Sequence, residues 1–197
     1  MDFTSHSKLI KGSSFKYSTG GTIVKRALFI GRFQPFHNGH LHAVKHILGE
    51  YAEVVIAIAA AQYNYTIDNP FTAGERIEMI RLGLGDLYTK SYIVPVDNIT
   101  NNYEWPRYLL SYTPKVVAVF SNNEFTRTLF KAHGFRVFKT PELPNVSGST
   151  IRRFIAEDMK WEQLVPKPVA DYILKINAIE RLKTLWKLQV RAQGERF

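Results

Sequence analysis

Two stretches of the chain gather side chains suited to holding phosphate. The first is Gly31-Arg32-Phe33-Gln34-Pro35-Phe36-His37-Asn38-Gly39-His40, which follows the apolar run Ala27-Leu28-Phe29-Ile30. It matches neither GxGxxG nor GxxxxGK[ST]. Its physics is still that of a phosphate loop: a strand ends, the backbone turns, and a helix N-terminus offers free N–H groups and a positive dipole end. His37 and His40 flank Gly39 and can reach one anion, and glycine at 39 lets a large ligand approach the main chain. The second stretch, Ser147-Gly148-Ser149-Thr150-Ile151-Arg152-Arg153, sets hydroxyls at a predicted helix start with arginines close behind. A cation there opposes the helix dipole. An anionic ligand gives a reason to keep it, because a guanidinium matches phosphate geometry. Taken singly, each stretch also reads as an ordinary capped helix. His42 and His46, four apart, could chelate a metal from one helix face. No Asp or Glu lies among the histidines at 37, 40, 42 and 46, so no metal ligand is assigned.

The elements that must position these groups follow from hydrophobic patterning. Strands are predicted at 27–30, 54–58, 91–96, 115–120 and 135–138. Helices are predicted over 39–51, from Thr72, over 105–110, over 124–133, over 147–157 and over 168–188, the last interrupted near Asn177. Thr72-Ala73-Gly74-Glu75 matches a capping box. Strands alternating with helices imply a doubly wound, Rossmann-like α/β fold: a parallel sheet of about five strands, helices on both faces and a helical C-terminal region. Ligands of such sheets sit at the carboxyl ends of the strands, so the polar loops after the first, second and fourth strands should line the site.

Composition narrows the class. The 197 residues suit one domain, with 45% hydrophobic and 13% aromatic side chains, which excludes wholesale disorder. Zero cysteines exclude disulfides and thiolate chemistry. No apolar run approaches the roughly 20 residues of a membrane helix, and the first 26 residues lack an apolar signal core. A cytoplasmic protein with no membrane partner is expected. Net charge is +9, which suits a phosphate-rich partner. The basic residues are dispersed and no nucleic-acid motif occurs, so no nucleic-acid partner is assigned. A polar, turn-rich stretch at 1–24 reads as a flexible extension, 25–190 as the domain and 191–197 as a basic tail.

Together the motifs resemble a known family. GRFQPFHNGH carries the HxGH signature of the nucleotidylyltransferase superfamily, and VSGSTIRR is similar to its second signature about 110 residues later. Between them, Asn69-Pro70-Phe71-Thr72-Ala73-Gly74-Glu75-Arg76 looks like the NPFTAGER segment of archaeal-type nicotinamide-nucleotide adenylyltransferases. The resemblance covers about Lys25 to Leu188. It implies adenylyl transfer from ATP to nicotinamide mononucleotide, giving NAD and pyrophosphate by direct in-line attack without a covalent enzyme intermediate. It also implies Mg²⁺ or another divalent cation with ATP, and a homo-oligomer such as a hexamer.

The resemblance further implies roles. The catalytic set is His37, His40, Arg32 and Arg152, with Arg32 bridging the phosphates of both substrates. Ser147, Ser149 and Arg152 hold the triphosphate. Phe33 and Gly39 line the adenosine pocket, which Asn123 also contacts. Asn69 and Phe71 lie beside the nicotinamide nucleotide, and Trp105 stacks on its ring or serves as a core anchor. Two departures bear on substrate preference: Ala60 and Tyr65 stand where the family segment SAQxSHT has Ser and His. Rival readings are transfer to another acceptor, such as phosphopantetheine or flavin mononucleotide, a non-catalytic nucleotide sensor, and a nucleic-acid-binding protein.

Overall fold

Strand β1 (Arg26–Gly31) lies at the centre of the sheet, flanked by β2 (Glu53–Ile58) and β4 (Ala118–Phe120). The outer strands are β3 (Ser91–Pro95) beside β2 and β5 (Val137–Phe138) beside β4. All four pairings are parallel, in the order β3-β2-β1-β4-β5. The computed structural model describes residues 24–194. The expected extension at 1–24 therefore lies outside the described residues except for Val24.

Alternation along β1 builds two cores. Ala27 and Phe29 face one side; Leu28 and Ile30 face the other. The first side is covered by α1 (Asn38–Glu50), α2 (Ala73–Leu84), α5 (Gly148–Ala156), α6 (Lys167–Lys175) and α7 (Ala178–Gly194). The second is covered by α3 (Trp105–Ser111) and α4 (Glu124–Ala132). Both faces of β2 are buried, which is why Val54 to Ile58 reads as an unbroken apolar run.

The expected strands and helices are present, with changes at their ends. The fourth strand starts at Ala118 rather than Lys115, and the fifth is only two residues. The break near Asn177 is real: Asn177 has φ 52, a left-handed conformation that asparagine tolerates, and it separates α6 from α7. Helix α7 runs to Gly194, so secondary structure does not break at the expected boundary of 190. Two 3₁₀ turns, Gly85–Lys90 and Glu162–Leu164, carry no periodicity and were not expected. The sheet order reverses between β1 and β4, which places a crevice at their carboxyl ends.

Candidate active site

Helix α1 begins with a capping box made of two histidines. His37 is the N-cap, and its Nδ1 accepts from the His40 main-chain N–H at 3.3 Å. The His37 N–H donates in return to Nδ1 of His40 at 3.2 Å. The rings stack with centroids 3.5 Å apart and planes 17° apart. A Cβ at Gly39 would sit 3.1 Å from the His37 ring, which would have to give by a few tenths of an ångström. Each Nδ1 is thus an acceptor, which assigns the ring proton of a neutral imidazole to Nε2. Burial holds His37 down to about pKa 4. Burial, with His37 alongside, holds His40 well below its ordinary value. Both rings are therefore neutral near pH 7, and among the described residues neither Nε2–H has a protein partner.

The loop ahead of α1 is held from below. Arg76, on α2, is fully buried and donates to the carbonyls of Thr72, Arg32, Ala59, Ala60 and Ala61. Burial, and Arg32 nearby, pull its pKa down to about 10. These bonds fix two strained loops, since Phe33 and Ala60 both have φ 53. Gln34, also buried, clamps the peptide groups of Phe71 with both ends of its amide at 3.0 Å. Its own carbonyl accepts from Arg152 Nη1 at 2.9 Å. One glutamine thereby joins the first signature, the 69–71 segment and the second signature.

Helix α5 closes the site from the other side. Ser147 is its N-cap, accepting from Thr150 N–H at 3.1 Å, and lies 2.9 Å from the Ser149 hydroxyl. Gly148 allows a close approach, because a Cβ there would meet the Gln34 carbonyl oxygen at 2.8 Å. Arg152 is buried on α5 and also donates to Asp68 at 3.1 Å.

Three cavities meet around these groups. The largest, about 360 Å³, lies between the ends of β1 and β4 and the loop after β5. It is bordered by Gly39, His37, His40, Asn123, Thr140 and Ser147 among others. A cleft of about 210 Å³ adjoins it across the two histidines and is bordered by Arg32, Phe33, Gly148, Ser149 and Arg152. A third cavity, about 200 Å³, shares Arg32 with the cleft and Asn123 with the large cavity, and adds Asn98, Asn102, Trp105 and Phe125. Arg32 is exposed and stands between the cleft and the third cavity.

The sequence expectations map unevenly onto this geometry. His37, His40, Arg32, Arg152, Ser149 and Gly148 converge on the cleft. Ser147, Gly39 and Asn123 border the large cavity, although the Ser147 and Asn123 oxygens are committed to capping α5 and α4. Phe33 does not border it: its ring is buried against Phe29 and lies 4.7 Å from the His40 ring, bracing that imidazole. Asn69 and Phe71 do not border these cavities. The core claims the Phe71 ring, and Asn69 closes a turn on Thr66. Trp105 is a core anchor with one surface left over. It is 7% exposed, packs edge-on against Phe130 and donates from Nε1 to the Asp97 carbonyl, yet one surface borders the third cavity.

Sequence reasoning missed Gln34, Arg76, Asp68, Asn122 and Phe125. Asn122 pins the Thr140 peptide to the end of β4, so the loop after β5 joins the site. Only Phe125, 55% exposed at the start of a helix after a polar strand-end loop, carried a usable signal. Among the described residues, no three His, Asp or Glu side chains converge to hold a metal ion. His42 is exposed, and His46 lies 3.9 Å from Glu50 instead. No helix among the described residues is long and apolar enough to cross a membrane.

Residues 28–154 match the family model described as cytidylyltransferase-like. A nicotinamide-nucleotide adenylyltransferase of Pyrobaculum arsenaticum is 44% identical over 165 residues, 81% of this chain and 93% of the relative. One of Saccharolobus solfataricus is 41% identical over 167 residues, 82% of this chain and 97% of the relative. Among solved structures, a bifunctional NMN adenylyltransferase/ADP ribose pyrophosphatase of Francisella tularensis, complexed with AMP and a manganese ion, superposes with a TM-score of 0.68. It is 18% identical and shares the fold over 87% of this chain and 55% of its own longer one. With the HxGH loop capping α1, the second signature capping α5 and the NPFTAGER segment tied to both, the chain belongs to the cytidylyltransferase-like family and, within it, to the archaeal-type nicotinamide-nucleotide adenylyltransferases.

Proposed function

We propose that the protein transfers the adenylyl group of ATP to nicotinamide mononucleotide, releasing pyrophosphate and forming NAD. One observation carries this reading: two neutral imidazole N–H groups and two guanidiniums converge on a cleft flanked by two further recesses at the β1/β4 switch point. The large cavity takes the adenosine, the cleft takes the phosphates, and the third cavity takes the nicotinamide nucleotide.

A 5′-phosphate oxygen of the mononucleotide attacks the α-phosphorus of ATP. The bond from that phosphorus to the bridging oxygen breaks, and pyrophosphate leaves with the electron pair. No side chain forms a covalent bond. Arg32, standing between the cleft and the third cavity, draws the two anions together against their repulsion. The Nε2–H groups of His37 and His40, with Arg152 and Ser149, donate to the departing phosphates as their charge rises. The capping box holds both imidazoles in place before substrate arrives, so little reorganisation is needed. The cleft offers mainly donors, which fits a divalent cation that arrives bound to ATP as part of the substrate. A homo-oligomer in the cytoplasm belongs to the same proposal, tested by light scattering and cell fractionation.

The test is NAD formation from ATP, Mg²⁺ and nicotinamide mononucleotide, with flavin mononucleotide and phosphopantetheine as parallel acceptors. NAD with stoichiometric pyrophosphate is expected. Product only with another acceptor overturns the acceptor assignment while keeping the phosphate chemistry. No product with any acceptor overturns the enzyme reading.

A further inference from the structure

Arg152 and Asp68 meet at the edge of the phosphate cleft with opposite freedom. The Arg152 side chain is 8% exposed and that of Asp68 is 68% exposed. Arg152 is fixed by its Nη1 bond to the Gln34 carbonyl at 2.9 Å. Its Nη2 donates to Asp68 Oδ1 at 3.1 Å, and its Nε is buried without a protein partner among the described residues. Asp68 sits in a tight turn in which Thr66 N–H donates to the Asn69 carbonyl at 3.3 Å and Asn69 N–H donates back at 3.1 Å. Ile67, beside it, packs on the core. The Asp68 main chain is therefore anchored while its short side chain faces solvent and can rotate away. Arg152 cannot follow it.

The surroundings are cationic. Arg32 borders the cleft, and Arg153 borders an adjoining recess of about 290 Å³ that shares Ser149 and Arg152 with the cleft and adds Asp68. Burial lowers the pKa of Arg152, Asp68 raises it and Arg32 lowers it again. A carboxylate oxygen at this distance from a guanidinium nitrogen offers the charge and lone pair that a phosphate oxygen offers.

We infer that the Asp68 carboxylate holds the place of one phosphate oxygen on Arg152, so that an incoming phosphate group must displace it. This rests on the phosphate reading of the cleft. The displacement weakens every phosphate ligand at Arg152 by the same factor. A lone orthophosphate spans fewer of the donors of the cleft at once, so the loss is a larger share of its binding. A polyphosphate that also reaches Arg32 and the two imidazole N–H groups stays bound. Asp68 thereby sets the affinity threshold of the cleft and hastens departure of pyrophosphate.

The test is calorimetric titration of the full chain and its Asp68→Asn variant with inorganic pyrophosphate, over a range of ionic strength. The substitution keeps the shape and removes the charge at an exposed position, and equal melting temperatures confirm that the fold is intact. Pyrophosphate should bind the variant roughly two- to fivefold more tightly, the worth of a partly exposed ion pair. The gap should narrow as salt screens the pair. Unchanged or weaker binding in the variant, with a wild type that makes NAD, overturns this inference alone: Asp68 then only holds Arg152 in place. Failure of pyrophosphate to bind either protein overturns the inference together with the phosphate assignment.

Discussion

Replacing Gly148 with alanine inserts one methyl group at the closest approach between the two signatures. Its Cβ would lie 2.8 Å from the Gln34 carbonyl oxygen and 3.3 Å from Arg152 Nη1. That is about half an ångström short of an ordinary carbon–oxygen contact. A main-chain oxygen cannot rotate aside, so α5 or the loop before α1 must shift. Two terms oppose each other in stability. Alanine in a helix gains up to about 1 kcal/mol over glycine, and forced overpacking costs about 1–3 kcal/mol. The net loss of about 1 kcal/mol lowers the melting temperature by roughly 2–4 °C. Activity should suffer more, because the shift moves Arg152 and the α5 N-terminus relative to His37 and His40. Displacement of catalytic groups on this scale costs up to about 10²-fold, so kcat/KM for NAD formation should fall by roughly 10- to 100-fold. Gly49, in α1, is the control: nothing lies within 4 Å of a Cβ there, so Gly49→Ala should raise the melting temperature without changing kcat/KM. If Gly148→Ala behaves like Gly49→Ala, with a raised melting temperature and activity within twofold of wild type, the close-approach reasoning fails.

Other outcomes follow from the same geometry. His40→Ala removes one N–H donor and half of the capping box, so turnover should drop by roughly 10²–10³-fold, and near-normal turnover in steady-state assays would remove His40 from the mechanism. Trp105→Phe keeps the core filled and loses the bond to Asp97, so the KM for nicotinamide mononucleotide should rise more than that for ATP; equal rises would assign Trp105 to packing alone. Acid should destabilise the fold through the histidine pair. The unfolded chain protonates His37 below about pH 6.5 but the folded chain only near 4, so the unfolded state binds more protons in this window. That stabilisation, about 3 kcal/mol from His37, is full above pH 6.5 and lost as pH falls toward 4. Thermal melts of wild type against His37→Asn, which keeps a capping side chain, should show a shallower pH slope in the variant; equal slopes would remove His37 as the cause.

The sequence by itself determined the layers of this protein and the chemistry of its edges. The apolar runs at β1, β2 and β4, the Thr72–Glu75 capping box and the hydroxyls at Ser147 each act through neighbours within a few residues. Their pattern can therefore be read along the chain. The HxGH spacing is local in the same way: positions i and i+3 of a helix start can cap each other, and the histidines do. Only the tertiary structure decided what converges. Arg152 reaches the carbonyl of Gln34, 118 residues away, and Asp68, 84 residues away. Nothing along the chain marks Arg76 for burial; the loops after β1 and β2 fold over it and supply four carbonyls, beside that of Thr72 at the start of its own helix. Phe71 and Phe33 look like ligand-facing aromatics in a motif, but the core claims both rings and leaves the site their peptide groups and their bracing. Residue type states what a side chain can do; which partner satisfies it depends on contacts between distant segments, and those form only when the sheet and its crossovers close.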